Sequence, residues 1–178
     1  MAQNAHGLRG FQLESLINST NQLYRTHRLG LVQKIPTPIT PLSMDKGRIT
    51  CAYFDSKSTV DYIGVIQGVP VCFDAKESAE TTYALSNIHE HQFEFMREFE
   101  EQGGIAFILL RYTAEEISYY LRFKDLAFFW ERAKSGGRKS FRIDELDMDW
   151  RIEEGGRVPV NYIEAVKKDM EERFRDTV

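Results

Sequence analysis

Apolar residues recur at helical spacing in several stretches of the chain, and each stretch is bounded by residues that favour helix ends. Residues 10–27 place their apolar side chains near one helical face, and Gly30 follows as a stop. Ser86 is positioned to cap a second helix that runs to Gln102, and residues 103–104, both glycine, end it. Further helices are predicted over residues 125–133 and 159–175, the latter with Pro159 in its first turn.

Runs of apolar and β-branched residues separate these helices and have the length of buried strands. The clearest runs are residues 62–67 and 69–75, which Gly68 joins into a predicted hairpin. Other strands are predicted over residues 29–35, 105–111 and 117–123. Because the helices and strands show no internal repeat, we expect one domain over residues 1–178, an α/β fold with a central mixed β-sheet flanked by helices.

Residues 37–55 interrupt this pattern of strands and helices. Prolines cluster around its beginning, with Pro36 just before it and Pro38 and Pro41 inside it. Because proline lacks the amide hydrogen that a ladder or a helix uses, we expect an extended, partly mobile excursion here. Lys46, Gly47 and Arg48 combine basic and turn-forming character and are predicted at its tip.

Charge is distributed unevenly along the chain. The formal net charge of −4 argues against non-specific binding to nucleic acid by the molecule as a whole. The first 50 residues nevertheless carry six basic residues against two acidic ones. We therefore expect the N-terminal third to face a polyanion and the remainder to face water.

Cysteine spacing and hydropathy favour a soluble, cytoplasmic protein with no membrane partner. Cys51 and Cys72 are far apart, which indicates neither a disulfide framework nor a Cys-x-x-Cys site. No stretch approaches the roughly 20 apolar residues of a membrane span. Residues 1–10 lack the apolar core of a signal peptide.

Asp61, Asp74 and Lys76 are the sharpest group of chemically active residues. In the predicted hairpin Asp74 and Lys76 point to one side, and Asp61 can reach them from the paired strand. Two carboxylates so placed suit Mg²⁺, and Lys76 could orient water or offset charge on a scissile phosphate. The alternative is an Asp74–Lys76 ion pair at a strand end with Asp61 capping the preceding turn, and spacing alone favours this simpler interpretation.

Three other polar residues can approach this group. Thr59 would point the same way as Asp61 on an extended segment and offer an oxygen to a metal. Glu14 lies on the first predicted helix and Gln92 on the second, and both can approach the end of the sheet. For each residue taken singly the simpler interpretation is favoured, with Glu14 as a solvated helical acid and Gln92 as an amide on the helix surface.

Two further motifs invite functional interpretations. His89 and His91, as an i, i+2 pair, diverge on a helix and cannot chelate one zinc ion, so they are expected in phosphate contact, packing or capping. SGGRKS, at residues 135–140, lacks the Gly-Lys-Ser/Thr ending of a nucleotide-binding loop. Arg138 and Lys139 within it predict either a mobile basic loop on nucleic-acid phosphates or a solvated turn.

Several sequence blocks together resemble the RecU family of Holliday junction resolvases. GLRGFQLESLINSTNQLY, at residues 7–24, is similar to the family's opening motif of Arg-Gly, Leu-Glu and Ile-Asn with an Asn before Tyr. The other blocks follow in the family's order: KIPTPI at 34–39, STVDYIGVIQGVPVCFDAKE at 58–77, LSNIHEHQFEFM at 85–96, GGIAFILL at 103–110 and GRKSFRIDEL at 137–146. The resemblance covers nearly the whole chain, so it is more specific than any one motif.

The resemblance implies a restriction-endonuclease-like fold with a protruding stalk, a homodimer, and Mg²⁺ as cofactor with Mn²⁺ as a substitute. It implies paired cuts in strands of like polarity at a four-way DNA junction. Asp61 and Asp74 would be metal ligands, Thr59 and Gln92 would complete the metal site, and Lys76 would be the catalytic lysine. It leaves open a recombinase or a branch-migration motor as a further partner.

The resemblance also implies roles beyond the metal site. Glu14 matches the acidic position of the family's first helix and is expected to be catalytic. Arg9 matches the arginine of the opening motif, which the family associates with DNA or recombinase interaction. Since recognition would depend on junction shape and phosphates, we expect these basic residues to contact DNA: Arg9, Lys34, Lys46, Arg48, Arg138 and Lys139.

Two departures from the family pattern affect these expectations. Position 74 is Asp where the family usually has Glu, and the shorter side chain must shift the metal or the strand. The excursion at residues 37–55 is shorter than the family's stalk, which inserts into the centre of the junction. The first departure bears on ion preference and rate, the second on selectivity for junctions.

The leading hypothesis is a Mg²⁺-dependent junction resolvase that acts in recombination and repair at the nucleoid. It accounts for the acids, the lysine, the basic N-terminal third and the excursion together. One alternative is a related nuclease that cuts flaps, nicks or duplex DNA. The other is a non-catalytic DNA-binding or recombinase-regulating protein that keeps the fold.

Overall fold

The computed structural model describes the backbone of residues 5–54, 59–154 and 156–176, and side chains in these ranges from residue 12 to residue 175. Its helices are α1 (Ala5–Thr26), α2 (Glu90–Glu101), α3 (Phe123–Lys134) and α4 (Tyr162–Asp176). Its strands are β1 (Gly30–Lys34), β2 (Ile39–Asp45), β3 (Arg48–Phe54), β4 (Tyr62–Ile66), β5 (Val69–Ser78), β6 (Thr82–Ala84), β7 (Ile105–Tyr112), β8 (Ile117–Arg122), β9 (Ser140–Arg142) and β10 (Arg151–Ile152). Short 3₁₀ turns lie at Leu85–Asn87, Ile143–Glu145 and Met148–Trp150.

The main sheet has six strands in the order β1-β4-β5-β7-β8-β10. β5 and β7 pair in parallel, and the other neighbours pair antiparallel. The sheet is therefore mixed, because α2 provides the crossover that a parallel pair requires. The predicted central mixed sheet flanked by helices is confirmed, whereas the restriction-endonuclease-like assignment stays a prediction.

Aromatic side chains form the core between the sheet and one helical layer. Phe73 stacks on Tyr62 at 4.8 Å and on Phe107 at 4.6 Å between ring centroids. Tyr162 of α4 lies 5.2 Å from Phe73 and 5.2 Å from Tyr24 of α1. Because strand side chains alternate, this layer of α1 and α4 covers the face opposite to that of Asp61, Asp74 and Lys76.

The second helical layer covers the face that carries the acids. Phe99 of α2 lines the same shallow cavity as Ile63 and Val65, which share their face with Asp61. Phe93 of α2 stacks on Trp130 of α3 at 4.5 Å between ring centroids, which joins the two helices. Asp61 and Asp74 thus lie on the α2 side of the sheet.

Gly64 allows β1 to pack closely against β4. A Cβ atom at this position would lie 2.2 Å from the carbonyl oxygen of Leu31 and 2.6 Å from the Cα of Val32. Any other residue would push β1 away from the sheet. The glycine therefore keeps Lys34, at the end of β1, beside the hairpin that carries the acids.

The excursion is a regular hairpin, where an irregular extended segment was predicted. β2 and β3 pair with each other from Ile39 opposite Phe54 to Asp45 opposite Arg48. Lys46 and Gly47 have positive φ angles of 45° and 79°, as a tight two-residue turn requires. The ribbon has two strands, so Pro41 can lie in β2 beside a bulge where the register shifts.

Several predicted boundaries were wrong. α2 begins at Glu90 with His89 as its N-cap, while Ser86 lies in the 3₁₀ turn before it. α4 begins at Tyr162, because Val160 first forms a β-bridge with Glu154 and Pro159 precedes that bridge. The predicted loop at 135–140 ends at Ser140, the first residue of β9, which pairs with β6.

Neither α1 nor any other helix of the described ranges has the length and hydropathy of a membrane span. The treatment of residues 1–178 as one domain with a stalk stays a prediction.

Candidate active site

The two acids of the β4–β5 hairpin are fixed by backbone hydrogen bonds to each other's strands. Tyr62 lies opposite Phe73, which brings Asp61 and Asp74 together at the start of β4. The backbone N–H of Asp61 donates to Asp74 Oδ1 at 2.8 Å. The backbone N–H of Ala75 donates to Asp61 Oδ2 at 3.0 Å. These reciprocal bonds hold both carboxylates with little rotational freedom.

Lys76 completes the group from the same face of β5. Its Nζ lies 3.0 Å from Asp74 Oδ2, and the lysine side chain is 19% exposed while Asp74 is fully buried. The ammonium therefore offsets a buried negative charge yet stays accessible from solvent. The predicted convergence of Asp61, Asp74 and Lys76 is present in the structure.

Asp74 titrates abnormally because it is buried. Burial raises the pKa of Asp74 to about 6, Lys76 opposes this rise, and the charge of Asp61 adds to it. An ionised Asp74 is thus unfavourable without a further cation. Sites that carry chemistry often show this combination of burial and a specific charge partner.

The donor set of this group fits a hard divalent cation. Asp74 Oδ2 is buried and, within the described ranges, has Lys76 Nζ as an ion-pair partner but accepts no well-formed hydrogen bond. Asp61 offers a second carboxylate, and no group of three or more His, Cys, Asp or Glu residues gathers at any point of the described chain. Two carboxylates, with water and phosphate supplying the remaining oxygens, suit Mg²⁺ better than zinc.

The other two predicted metal ligands are placed differently. Gln92 is buried near the start of α2, where its Oε1 accepts a hydrogen bond from the backbone N–H of His89 at 3.1 Å. Thr59 is half-buried and lies two residues before Asp61. Gln92 therefore already has a capping role, and metal ligation by Gln92 and Thr59 stays a prediction.

Glu14 and Lys34 pair with each other on the α1 side of the sheet. Their Nζ and Oε2 atoms are 2.6 Å apart, and both side chains are partly exposed. Between this pair and the acids lies Tyr62, whose hydroxyl donates to Asn18 Oδ1 at 3.1 Å. Burial, then the charges of Glu14 and Asp61, raise the pKa of Tyr62. The structure thus does not add Glu14 to the carboxylate group as a third ligand.

The remaining predicted DNA contacts fall into separate regions. Lys46 and Arg48 lie at the exposed tip of the β2–β3 hairpin. Arg138 forms an ion pair with Glu145 at 2.9 Å, whereas Lys139 is exposed. Arg9 lies in α1, but its side chain is outside the described residues.

Tyr83 is a site neighbour that the sequence did not reveal. It is buried in β6, and burial followed by the charges of Asp74, Tyr112 and Asp61 raises its pKa. Its position depends on the pairing of β6 with β9, which joins residues 58 positions apart, since Tyr83 lies opposite Phe141. No local pattern in the sequence predicts that pairing.

Comparisons with known proteins agree with the resemblance in the sequence. The Holliday junction resolvase RecU of Bacillus pumilus is 40% identical over 172 residues, covering 93% of this chain and 83% of the relative. That of a Geobacillus species is 38% identical over 173 residues, covering 93% and 86%. A solved structure of Hjc, a Holliday junction resolvase of Archaeoglobus fulgidus, aligns with a TM-score of 0.35 and 9% identity over 58% of this chain and 74% of that one.

A family model described as Recombination protein U matches residues 8–168. The match contains all but the first three residues of α1, the complete β4–β5 hairpin with its acids and lysine, and the first seven residues of α4. The chain belongs to the RecU family.

Proposed function

We propose that this protein is a Mg²⁺-dependent endodeoxyribonuclease that resolves four-way DNA junctions by paired nicks. The observation that carries the proposal is the fixed group of Asp61, Asp74 and Lys76 on one hairpin. Membership of a family whose relatives are named Holliday junction resolvases supports the substrate. The alternative is an Asp74–Lys76 ion pair without a catalytic role. Such a pair would not require Asp61 as a second carboxylate fixed beside the buried Asp74.

Asp61 and Asp74 would hold the metal ion, with Thr59 and Gln92 as further oxygen donors. When bound, Mg²⁺ supplies positive charge that polarises the phosphate and lowers the pKa of bound water, and Mn²⁺ can substitute. The backbone bonds to Asp61 and Asp74 orient both carboxylates before the ion arrives. Gln92 would use the second lone pair of Oε1, since His89 occupies the first.

Lys76 is the residue we assign to the reacting phosphate. Its Nζ contacts Asp74 at 3.0 Å and remains partly exposed, so it can also reach a phosphate oxygen above the carboxylates. There it would stabilise the negative charge that develops during hydrolysis, or orient the attacking water. Glu14 would act from the α1 side by holding Lys34 in place, which is a positioning role.

Paired nicks require two sites, so we propose that the working form is a homodimer. A two-fold axis would present two identical sites to a junction with approximate two-fold symmetry. We place the protein in the cytoplasm, at the nucleoid, where recombining DNA lies. A recombinase or a branch-migration motor is a further proposed partner.

Cleavage of a mobile four-way junction beside linear duplex of the same sequence tests the function. We expect Mg²⁺-dependent paired nicks in the junction and little cutting of the duplex. Two linear duplex products whose arms have equal lengths would show that the two nicks lie at symmetrical positions in the junction. Equal rates on both substrates would instead support a general flap or duplex nuclease, and binding without cutting would support a regulatory protein.

The hairpin tip provides a prediction about substrate selectivity. Replacing Lys46 and Arg48 together with Ala should weaken binding to the junction about tenfold and binding to duplex much less, because the tip would lie at the junction centre. Fluorescence anisotropy in Ca²⁺ or EDTA measures both affinities. The exposed pair Lys167 and Arg175 on α4, also replaced with Ala, is the matched control.

Equal losses on junction and duplex would reduce the tip to a general electrostatic contact. If the tip variant and the α4 control lost DNA affinity equally, the tip would have no electrostatic role of its own in DNA binding.

A further inference from the structure

A groove outside the carboxylate group lies between the 3₁₀ turn Leu85–Asn87, the start of α2 and the end of α3. Its volume is about 600 Å³. Its floor is apolar, from Leu85, Ile88 and Trp130, and its rim carries Lys134, Lys139 and Glu90. We call it the Trp130 groove.

Trp130 offers the groove an aromatic ring surface. Phe93 stacks on the indole at 4.5 Å with an angle of 6° between the ring planes, which fixes the ring and covers one face. The rest of the half-buried ring lines the groove. Its Nε1–H is buried, and no acceptor among the described residues reaches it. A ligand with a flat apolar surface would pack on the part of the ring that lines the groove.

The charge on the rim is predominantly positive. Lys134 and Lys139 are exposed, and neither forms an ion pair with a described residue. By contrast, Arg132 and Arg138 both pair with Glu145, at 2.6 Å and 2.9 Å. Arg132, assisted by a backbone N–H and Arg138, lowers the pKa of Glu145. The two lysines are therefore the cations left for an anion, with Glu90 as the opposing acid.

The β6–β9 ladder links the groove to Tyr83, whose pKa reflects the charges of the two acids. Burial, and then nearby charges that include those of Asp74 and Asp61, raise the pKa of Tyr83 in β6. The next residue, Ala84, lies opposite Ser140 of β9. The backbone N–H of Leu85 donates to the carbonyl of Lys139 at 3.1 Å. Leu85 is two residues beyond Tyr83, a step of about 7 Å along a strand. The ladder therefore joins one side of the groove to Tyr83.

We propose that the Trp130 groove binds the DNA strand that adjoins the scissile phosphate. Lys134 and Lys139 contact successive phosphates, and one base packs on Trp130. Stacking on an aromatic ring tolerates any base, so the groove adds affinity without sequence preference. This assignment rests on the proposed nuclease function and extends its DNA contacts to Trp130 and Lys134.

Tryptophan fluorescence tests the groove directly. The chain has two tryptophans, and Trp150 is only 1% exposed, between Arg122 and Lys168. In EDTA, where no strand is cut, we expect oligothymidine to quench the fluorescence of wild-type protein. Trp130→Phe should remove this quenching, and Trp150→Phe should retain it. If Trp150→Phe fails to fold, the difference between wild type and Trp130→Phe gives the same result.

The lysines and the acid give effects of opposite sign. Lys134→Ala with Lys139→Ala should weaken oligothymidine binding about tenfold and lower its salt dependence by one to two phosphate contacts. Glu90→Gln should tighten binding several-fold, because it removes the acid from the rim. Lys124→Ala with Lys167→Ala, two exposed lysines that already pair with acids, is the matched control and should change little.

An absence of quenching, or equal losses in the groove variant and the control, would overturn the assignment. Quenching by a synthetic peptide of Glu and Leu, with none by oligothymidine, would overturn it in favour of a protein-docking groove. Junction cleavage in Mg²⁺ on the same wild-type protein separates the two proposals. Cleavage without quenching rejects the groove alone, and quenching without cleavage rejects the nuclease function alone.

Discussion

Lys76→Ala should lower the rate of junction cleavage by about 10²–10³-fold while junction binding in Ca²⁺ stays within about twofold. The ammonium is the positive group of the site that is both fixed and partly exposed, 3.0 Å from Asp74 Oδ2. Its loss removes charge stabilisation of the reacting phosphate but leaves the carboxylates and their backbone bonds. Single-turnover cleavage and anisotropy titrations measure the two effects separately.

Two further variants sharpen this result. Lys76→Met keeps the aliphatic packing, so an equal loss of cleavage would assign the effect to the ammonium. Asp61→Asn can keep the bond from the Ala75 N–H through its amide oxygen, yet it removes one charge from the metal site. Lys167→Ala on exposed α4 is the control. Full cleavage by Lys76→Met would exclude Lys76 from the chemistry.

Asp74→Asn should stabilise the protein without metal and abolish stabilisation by Mg²⁺. Burial raises the pKa of Asp74 to about 6, above the value near 3.9 expected in the unfolded chain. Between these values the folded protein holds a proton that the unfolded chain has lost, so this group lowers stability as pH rises from about 4 to about 6. Above about pH 6 the loss of folding stability caused by Asp74 stays constant.

The size of this effect follows from the pKa shift. A shift of about two units corresponds to about 3 kcal/mol with the attraction of Lys76 included, and the amide NH₂ that replaces Oδ2 beside the Lys76 ammonium offsets part of it. We therefore expect Asp74→Asn to raise the free energy of unfolding in EDTA at pH 7.5 by about 1–2 kcal/mol, with a Tm higher by several degrees. The advantage should vanish near pH 4, where wild-type Asp74 is protonated.

Mg²⁺ should reverse the order of the two proteins. Wild type gains stability because the ion binds only the folded site, whereas the variant lacks one of two carboxylates. The rate of junction cleavage by Asp74→Asn should fall at least as far as the rate of Lys76→Ala. Asp144→Asn, an exposed acid paired with Arg142, is the matched control and should show neither effect. A less stable Asp74→Asn protein in EDTA would mean that the ion pair to Lys76 outweighs the cost of burial.

The shorter acid at position 74 is explained by its hydrogen bonds. Asp74 Oδ1 accepts from the Asp61 N–H at 2.8 Å, and the side chain is fully buried against β4. A Glu would carry its carboxylate one methylene further, so it could not keep the same bond without a shift of the strand. The departure from the family pattern is thus accommodated by a direct link between the two acids.

The site was partly predictable because its main elements are local. Asp61 and Asp74 flank one tight hairpin, whose register is set by the turn at Gly68, and strand alternation places Lys76 beside Asp74. Gln92 and Glu14 were not predictable in the same way. Their partners, His89 and Lys34, depend on where α2 begins and on how α1 packs against β1.

The sequence by itself determined the four helices, five strands of the main sheet, the hairpin of acids and the family, because periodicity, turn residues and ordered motifs are local properties of the chain. The tertiary structure decided which long-range neighbours meet. The pairing of β6 with β9 places Tyr83 where the charges of the acids act on it and brings Lys139 to the Trp130 groove. Arg138 forms an ion pair with Glu145, whereas Lys139 stays exposed. Such contacts depend on chain closure over many residues, where packing selects among partners that no local pattern distinguishes.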